Sequence, residues 1–147
     1  MADIKRTASA TWSGDLRAGK GTTSTGSGGL RDLNYSFHSR FETGPGTNPE
    51  ELIASAHASC FSMALSKILG DSGKTPERIS TKATLTMVKT DTGFKITRIH
   101  LETEGRVPGL DEAGFKQAAE KAKEGCPISA LLKPGLEAVT LDAKLAR

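Results

Sequence analysis

The sequence predicts an α+β fold, with mostly antiparallel sheets around one long buried central helix. Three observations predict it. Strand-like stretches of alternating apolar and polar residues come in runs, separated by helical segments. One segment, ELIASAHASCFSMALSKIL, is apolar or small on nearly every face, the pattern of a helix buried all round. Gly and Pro clusters punctuate the chain between these stretches. The expected order is three strands, a helix, two strands, two helices and a strand, which suits α+β. At 147 residues the chain reads as a single domain, 1–147, able to bury a core without metal or disulfide staples.

Each element has its own signal. Residues 4–13 read as a first strand with weak alternation. Residues 19–29, rich in Gly, Thr and Ser, read as a solvated strand or a loop. Residues 33–41 are a better strand, with Leu33, Tyr35 and Phe37 on one face. The helix over 49–70 has Asn48 as N-cap, Pro49 at its first position and Glu51 completing a capping box. Complete burial of so long a helix in a short chain is easier with a second subunit, and the Ala and Ser run from Ala54 to Ser59 would let another helix approach. Gly70 and Gly73 end it. Residues 78–90 alternate with Ile79, Thr81, Ala83, Leu85 and Met87 on one face. Asp91-Thr92-Gly93 predicts a hairpin turn. The return strand over 94–106 changes phase between Ile96 and Ile99, which a bulge near Thr97 would explain. Residues 111–124 predict an amphipathic helix with Phe115, Ala118, Ala119 and Ala122 inward. Cys126-Pro127 opens a short helix, and residues 136–145 predict a last strand with Leu136, Ala138 and Leu141 inward.

Composition narrows the function classes. The net charge is +3, the basic residues are scattered, and aromatics are 5%. Neither a basic track nor a stacking ladder for nucleic acid is present. The N-terminus lacks the apolar core of a signal peptide, and no window reads as a membrane span. The expectation is a cytoplasmic protein without nucleic-acid or membrane partners. In a reducing compartment two Cys are poor candidates for a structural bridge, which leaves reactive, metal-binding or inert buried thiols.

Cys60 lies mid-helix, where a free Cys behaves most often as a small buried hydrophobe. Cys126, between Gly125 and Pro127, sits at or just before a helix start, a place that favours thiolate. Taken together they allow a two-thiol cycle, in which one thiolate meets a peroxide and the second thiol condenses with the resulting sulfenic acid. Sequence spacing does not say whether the two can meet. His57, three residues before Cys60, shares its helical face and reads as a thiol-activating base or as polar packing. Two Cys and three scattered His do not close a four-ligand metal site. Arg40 reads as a solvated strand end or as the cation beside a thiolate, and Glu50 as a dipole partner or as the carboxylate orienting that Arg. Glu50 and Cys60 are ten residues apart, about 15 Å along one helix. They can share a site only through a bridging Arg or through antiparallel helices of two subunits.

The segments FHSRFETGPGTNPEELIASAHASCFSMAL and KAKEGCPISALL, with the WSGDLRAGKGT opening and VPGLD, resemble the OsmC/Ohr family of organic hydroperoxide peroxidases across essentially the whole chain. The resemblance implies an intertwined homodimer with active sites at its interface. It implies Cys60 as the attacking thiol, Cys126 as the resolving thiol, and Arg40 with Glu50 as the pair that activates Cys60 and recognises substrate. Organic hydroperoxides would be the substrates, a lipoylated protein or other dithiol the reductant, and oxidative or osmotic stress defence the role. No metal, haem or flavin is implied. The placement of Arg40 in HSRFE matches the OsmC branch, with Arg17 in DLRAGKG as the challenger. Two other readings stay open: a cysteine hydrolase using Cys60 and His57, and a non-enzymatic ligand-binding protein on the same scaffold.

Overall fold

The computed structural model describes residues 2–147. It contains two three-stranded sheets and four α-helices, distributed over two compact units, one up to Leu52 and one spanning Ile53–Arg147.

In the first unit, β1 (Ala8–Ser13), β2 (Lys20–Thr25) and β3 (Leu33–Ser36) form an antiparallel sheet in chain order. Trp12 and Tyr35 meet over Gly21, which pairs with both residues. A Cβ at Gly21 would stand 2.6 Å from the Tyr35 ring, so only glycine lets the two aromatics close over the strand between them. The strand expected through residue 41 stops early. Ser36 accepts a hydrogen bond from the Ser39 backbone, and the Ser39 hydroxyl accepts one from the Ser36 backbone. This reciprocal box turns the chain into a short helix, α1 (Phe37–Phe41), so Phe37 leaves the strand and Arg40 is helical rather than a strand end.

The long helix α2 (Pro49–Asp71) begins in this unit and continues through the second. Asn48 caps it, its side-chain oxygen accepting from the Glu51 backbone at 2.8 Å. It closes with a Schellman arrangement: Gly73 at φ +77°, its N–H on Gly70 and the Lys74 N–H on Leu69. Within a single chain, one face of this helix is buried. His57, Phe61, Leu65 and Leu69 form one buried stripe at four-residue spacing. Ser55, Ala56, Ser59 and Ser66 lie exposed, and Met63 is 75% exposed. By length and composition α2 also qualifies as a membrane span, contrary to the expectation from sequence, because Ala, Leu, Ile, Phe and Met outnumber its few charges.

The second unit carries the main core. β4 (Arg78–Thr90) and β5 (Gly93–Arg106) form an antiparallel hairpin. Thr86 faces Arg98 and Met87 faces Ile96, leaving Thr97 as the extra residue of a bulge. The bulge moves Ile99 and Leu101 to the core face, and both are buried. α3 (Glu112–Gly125) is capped by Asp111 and buries Phe115, Ala118, Ala119 and Ala122. α4 (Pro127–Leu132) follows directly. β6 (Ala138–Leu145) then pairs with β5 in parallel, so this sheet is mixed. Its core face is Val139, Leu141, Ala143 and Leu145. Ala138 is therefore out of phase with the expected inward set, because the register with β5 fixes which alternate residues face α3. A short hydroxyl chain crosses from helix to sheet: Ser62 donates to Thr81 at 2.8 Å, and Thr81 and Thr103 are 2.9 Å apart.

Gly105 on β5 sits under the fully buried Phe115 ring, and a Cβ there would fall 2.3 Å from a ring carbon. Gly105→Ala should therefore destabilise the fold by about 1–3 kcal/mol through overpacking, read as a lowered urea midpoint with unchanged m-value.

Candidate active site

Two groups of side chains carry chemistry, one in each unit. In the first unit, the buried Ser39 hydroxyl donates to the Thr47 carbonyl at 2.7 Å and the Asn48 amide donates to the Ser39 carbonyl at 2.9 Å. These bonds fasten α1 to the start of α2 and bring Arg40 to Glu50. The guanidinium spans the carboxylate with Nε at 3.1 and 3.3 Å from its two oxygens and a terminal nitrogen at 2.8 Å. Glu50 is the more buried partner, with 12% of its side chain exposed against 38% for Arg40. A bidentate pair of this kind is held in direction as well as distance, so the Arg40 face not used by Glu50 is presented in a fixed orientation. Arg17 does not compete for Glu50; it stacks over Phe37 at 5.0 Å from the ring centre.

Beside Arg40 lies an apolar pocket of about 270 Å³, walled by Trp12, Leu16, Tyr35, Phe37 and Phe41. The chain has only five Phe, one Trp and one Tyr, and four of these rings line this pocket, a concentration that could have flagged it. Phe61, on α2, is core, and Met63 is on the exposed face of that helix.

In the second unit the two cysteines, both unbridged, meet. Cys60 is half-buried on α2 and Cys126 fully buried. Cys126 ends α3 and caps α4 at once, its backbone N–H on the Ala122 carbonyl and its carbonyl accepting from Ala130. The Cys60 thiol is close enough to the Cys126 thiol and to the Ile128 backbone N–H to interact electrostatically with both. Burial pushes the Cys60 thiol up from its ordinary range, the neighbouring Cys126 adds to that, and the Ile128 N–H opposes it in part. An α4 N–H thus points at Cys60, although the helix-start effect was expected for Cys126.

His57 is fully buried and its Nε2 lies 2.6 Å from the Ser129 hydroxyl on α4. Burial lowers its pKa and keeps the ring neutral. Its partner is Ser129, so the reading of His57 as polar packing fits the geometry and the reading as a base on Cys60 does not. Among the described residues, no three His, Cys, Asp or Glu side chains are grouped to hold a metal.

With this geometry in view, comparison with known proteins is decisive. The profile of the family described as OsmC-like protein matches residues 42–140. The chain is 51% identical over 142 residues, 97% of each chain, to the peroxiredoxin OsmC of Escherichia coli strain K12. This chain belongs to the OsmC-like family. It is also 34% identical over 87 residues, 58% of this chain and 59% of the other, to an organic hydroperoxide resistance protein of Xanthomonas axonopodis pv. citri. Among solved OsmC-like structures, the organic hydroperoxide resistance protein OhrB of Bacillus subtilis superposes with a TM-score of 0.72 at 25% identity, covering 93% of this chain and 97% of that one.

The buried neutral His57 makes a pH prediction. Above about pH 6.5 the ring is neutral in the folded and unfolded chains alike. Below it, the unfolded chain takes up a proton that the folded one refuses, so stability falls with pH until the lowered folded pKa is passed. His57→Gln should flatten the fall of the urea midpoint over that range.

Proposed function

We propose that the protein is a thiol-dependent peroxidase that reduces organic hydroperoxides to alcohols and serves in oxidative or osmotic stress defence. The observation that carries the reading is the contact between Cys60 and Cys126. Sixty-six positions separate them in the chain, and their proximity supports a pair that condenses. Similarity to peroxiredoxin OsmC over nearly the whole chain supports the same activity.

The Cys60 thiolate attacks the terminal oxygen of ROOH. The O–O bond breaks, a proton reaches the leaving oxygen, and ROH departs. Cys60 is left as sulfenic acid. The Cys126 thiol displaces water from it and forms the Cys60–Cys126 disulfide. A lipoylated protein or another dithiol reduces that disulfide by exchange and leaves oxidised. Burial and Cys126 work against the Cys60 thiolate, so the reaction needs a cation that the two thiols do not supply. Arg40, oriented by Glu50, is our candidate for that cation, and the pocket beside it for the alkyl group. An apolar pocket favours an alkyl hydroperoxide over hydrogen peroxide because burying the alkyl group releases its hydration water.

The reading includes a homodimer and residues 1–147 acting as one domain. Glu50 and Cys60 stand about 15 Å apart along α2, and the exposed Ala, Ser and Met63 face of that helix is the surface a second copy would cover. The hydrolase alternative loses support because His57 is engaged by Ser129.

Two measurements test this. One equivalent of an alkyl hydroperoxide should remove two hydrogens from the mass of the reduced protein, mapped to a Cys60–Cys126 peptide. Cys60→Ser should abolish that loss, and Cys126→Ser should leave sulfenic acid, and sulfinic acid once a second equivalent is added; unconsumed peroxide would sink the reading. Arg40→Ala should slow the first turnover by roughly 100-fold at neutral pH, with the deficit shrinking at alkaline pH as Cys60 ionises unaided. An intact Arg40→Ala enzyme alongside a dead Arg17→Ala one would overturn the choice of Arg40.

A further inference from the structure

The sulfur pair is not the sole contact between α2 and α4. His57 and Ser129 form a second one, and both are buried. The numbering of the two contacts is informative. His57 precedes Cys60 by three residues on α2, and Ser129 follows Cys126 by three on the α4 side. Three residues are nearly one helical turn, about 4.5 Å of rise, so each element presents both of its members on one face. The contacts run in opposite chain directions, Cys60 to Cys126 and His57 to Ser129. They are adjacent rungs between segments that run antiparallel.

We propose that His57 and Ser129 are positioning residues for the resolving thiol: their hydrogen bond fixes α4 in register on α2 and keeps Cys126 facing Cys60 while Cys60 carries its oxygen. The inference rests on the peroxidase reading above.

The chemistry explains why a second rung matters. The thiol–thiol contact exists only while both sulfurs are reduced. Once Cys60 is a sulfenic acid that contact is gone, and no bond has yet replaced it. Two fates then compete. Cys126 can attack the Cys60 sulfur, expel water and close the disulfide. A second hydroperoxide can instead transfer another oxygen, leaving sulfinic acid and a second alcohol. The first fate depends on sulfur-to-sulfur approach, and a displacement of about 1 Å can cost roughly 100-fold in rate. The His57–Ser129 bond contains no sulfur and is unchanged through the cycle, so it can hold the approach while the sulfur rung is broken. The direction of the bond follows from the ring's other nitrogen. Nδ1 is buried and has no hydrogen-bond partner among the described residues. A proton there would be a buried donor without an acceptor. The proton therefore sits on Nε2 and is donated to the Ser129 oxygen.

The test uses the reduced full-length protein, excess cumene hydroperoxide and a dimedone trap, read by mass against time. Ser129→Ala and His57→Leu should oxidise Cys60 at the wild-type rate but close the disulfide about 10- to 100-fold more slowly. The dimedone adduct and sulfinic acid should rise towards the level of Cys126→Ser. His57→Gln, whose amide N–H can stand near the place of Nε2, should restore closure, whereas a loss of packing alone would not be rescued by one donor. Ser129→Ala removes a single oxygen, and thermal melts establish that it is folded. Closure at the wild-type rate in both Ser129→Ala and His57→Leu would overturn the inference, as would His57→Gln as slow as His57→Leu. A wild-type protein that takes no oxygen from the hydroperoxide would overturn the peroxidase reading and this inference with it. Wild-type closure with unaffected variants would overturn the inference alone.

Discussion

The C-terminal unit depends on one stripe of α2. His57, Phe61, Leu65 and Leu69 recur every four residues and turn the same side of the helix into the core. Three of them are apolar and join Ile99, Leu101, Phe115 and Ala119 in a continuous cluster. The fourth is an imidazole, whose burial costs free energy unless the ring is neutral and hydrogen-bonded; Ser129 supplies that bond. Cys60 sits on the edge of the stripe, one residue before Phe61, which is why it is half-buried and reaches the fully buried Cys126. The same packing that aligns the two sulfurs removes the water that would stabilise a thiolate. Alignment and ionisation therefore pull in opposite directions at Cys60, which is why the proposed mechanism looks for a cation elsewhere in the protein.

The N-terminal unit solves a different problem. Arg40 is on a five-residue helix, too short to hold a side chain in place by itself. Its order comes from hydrogen bonds around it. The Ser36–Ser39 box starts the helix, and Ser39 and Asn48 fasten it to the head of α2. Glu50, in the first turn of α2, then meets a guanidinium already at the right distance. An acidic residue there also complements the helix dipole, so one carboxylate serves the helix and the Arg together.

Much of this was legible in the sequence because it rests on local signals. The period-two pattern gave β4 its full extent, Asp91-Thr92-Gly93 marked the turn, and the phase change between Ile96 and Ile99 located the bulge at Thr97. The inward set of α3 followed from its 3.6 period. The misses share a cause. The Ser36–Ser39 box competes with a strand pattern that continues to Phe41, and alternation alone cannot weigh a pair of side-chain hydrogen bonds. The phase of β6 depends on a parallel partner far away in the chain. In the candidate site, residue types and motif marked Cys60, Cys126, Arg40 and Glu50, whereas the contact of the two thiols and the partnership of His57 with Ser129 are tertiary facts with no local signature.

The parallel pairing of β6 has a consequence for how the unit is made. Every rung between β5 and β6 joins residues forty positions apart, from Arg98 with Ala138 to Gly105 with Leu145. The β4–β5 hairpin needs only a tight turn and can close early. β6 cannot dock until the intervening crossover has folded back, which carries the entropy of a long loop before any pairing rewards it. Until then one side of β5 is an open row of amide and carbonyl groups, available to a neighbouring chain. Cys126 lies within that crossover. In the growing or refolding chain, the second sulfur is therefore delivered within a crossover that must fold back over a long loop, and before it arrives Cys60 and an unpaired strand edge coexist.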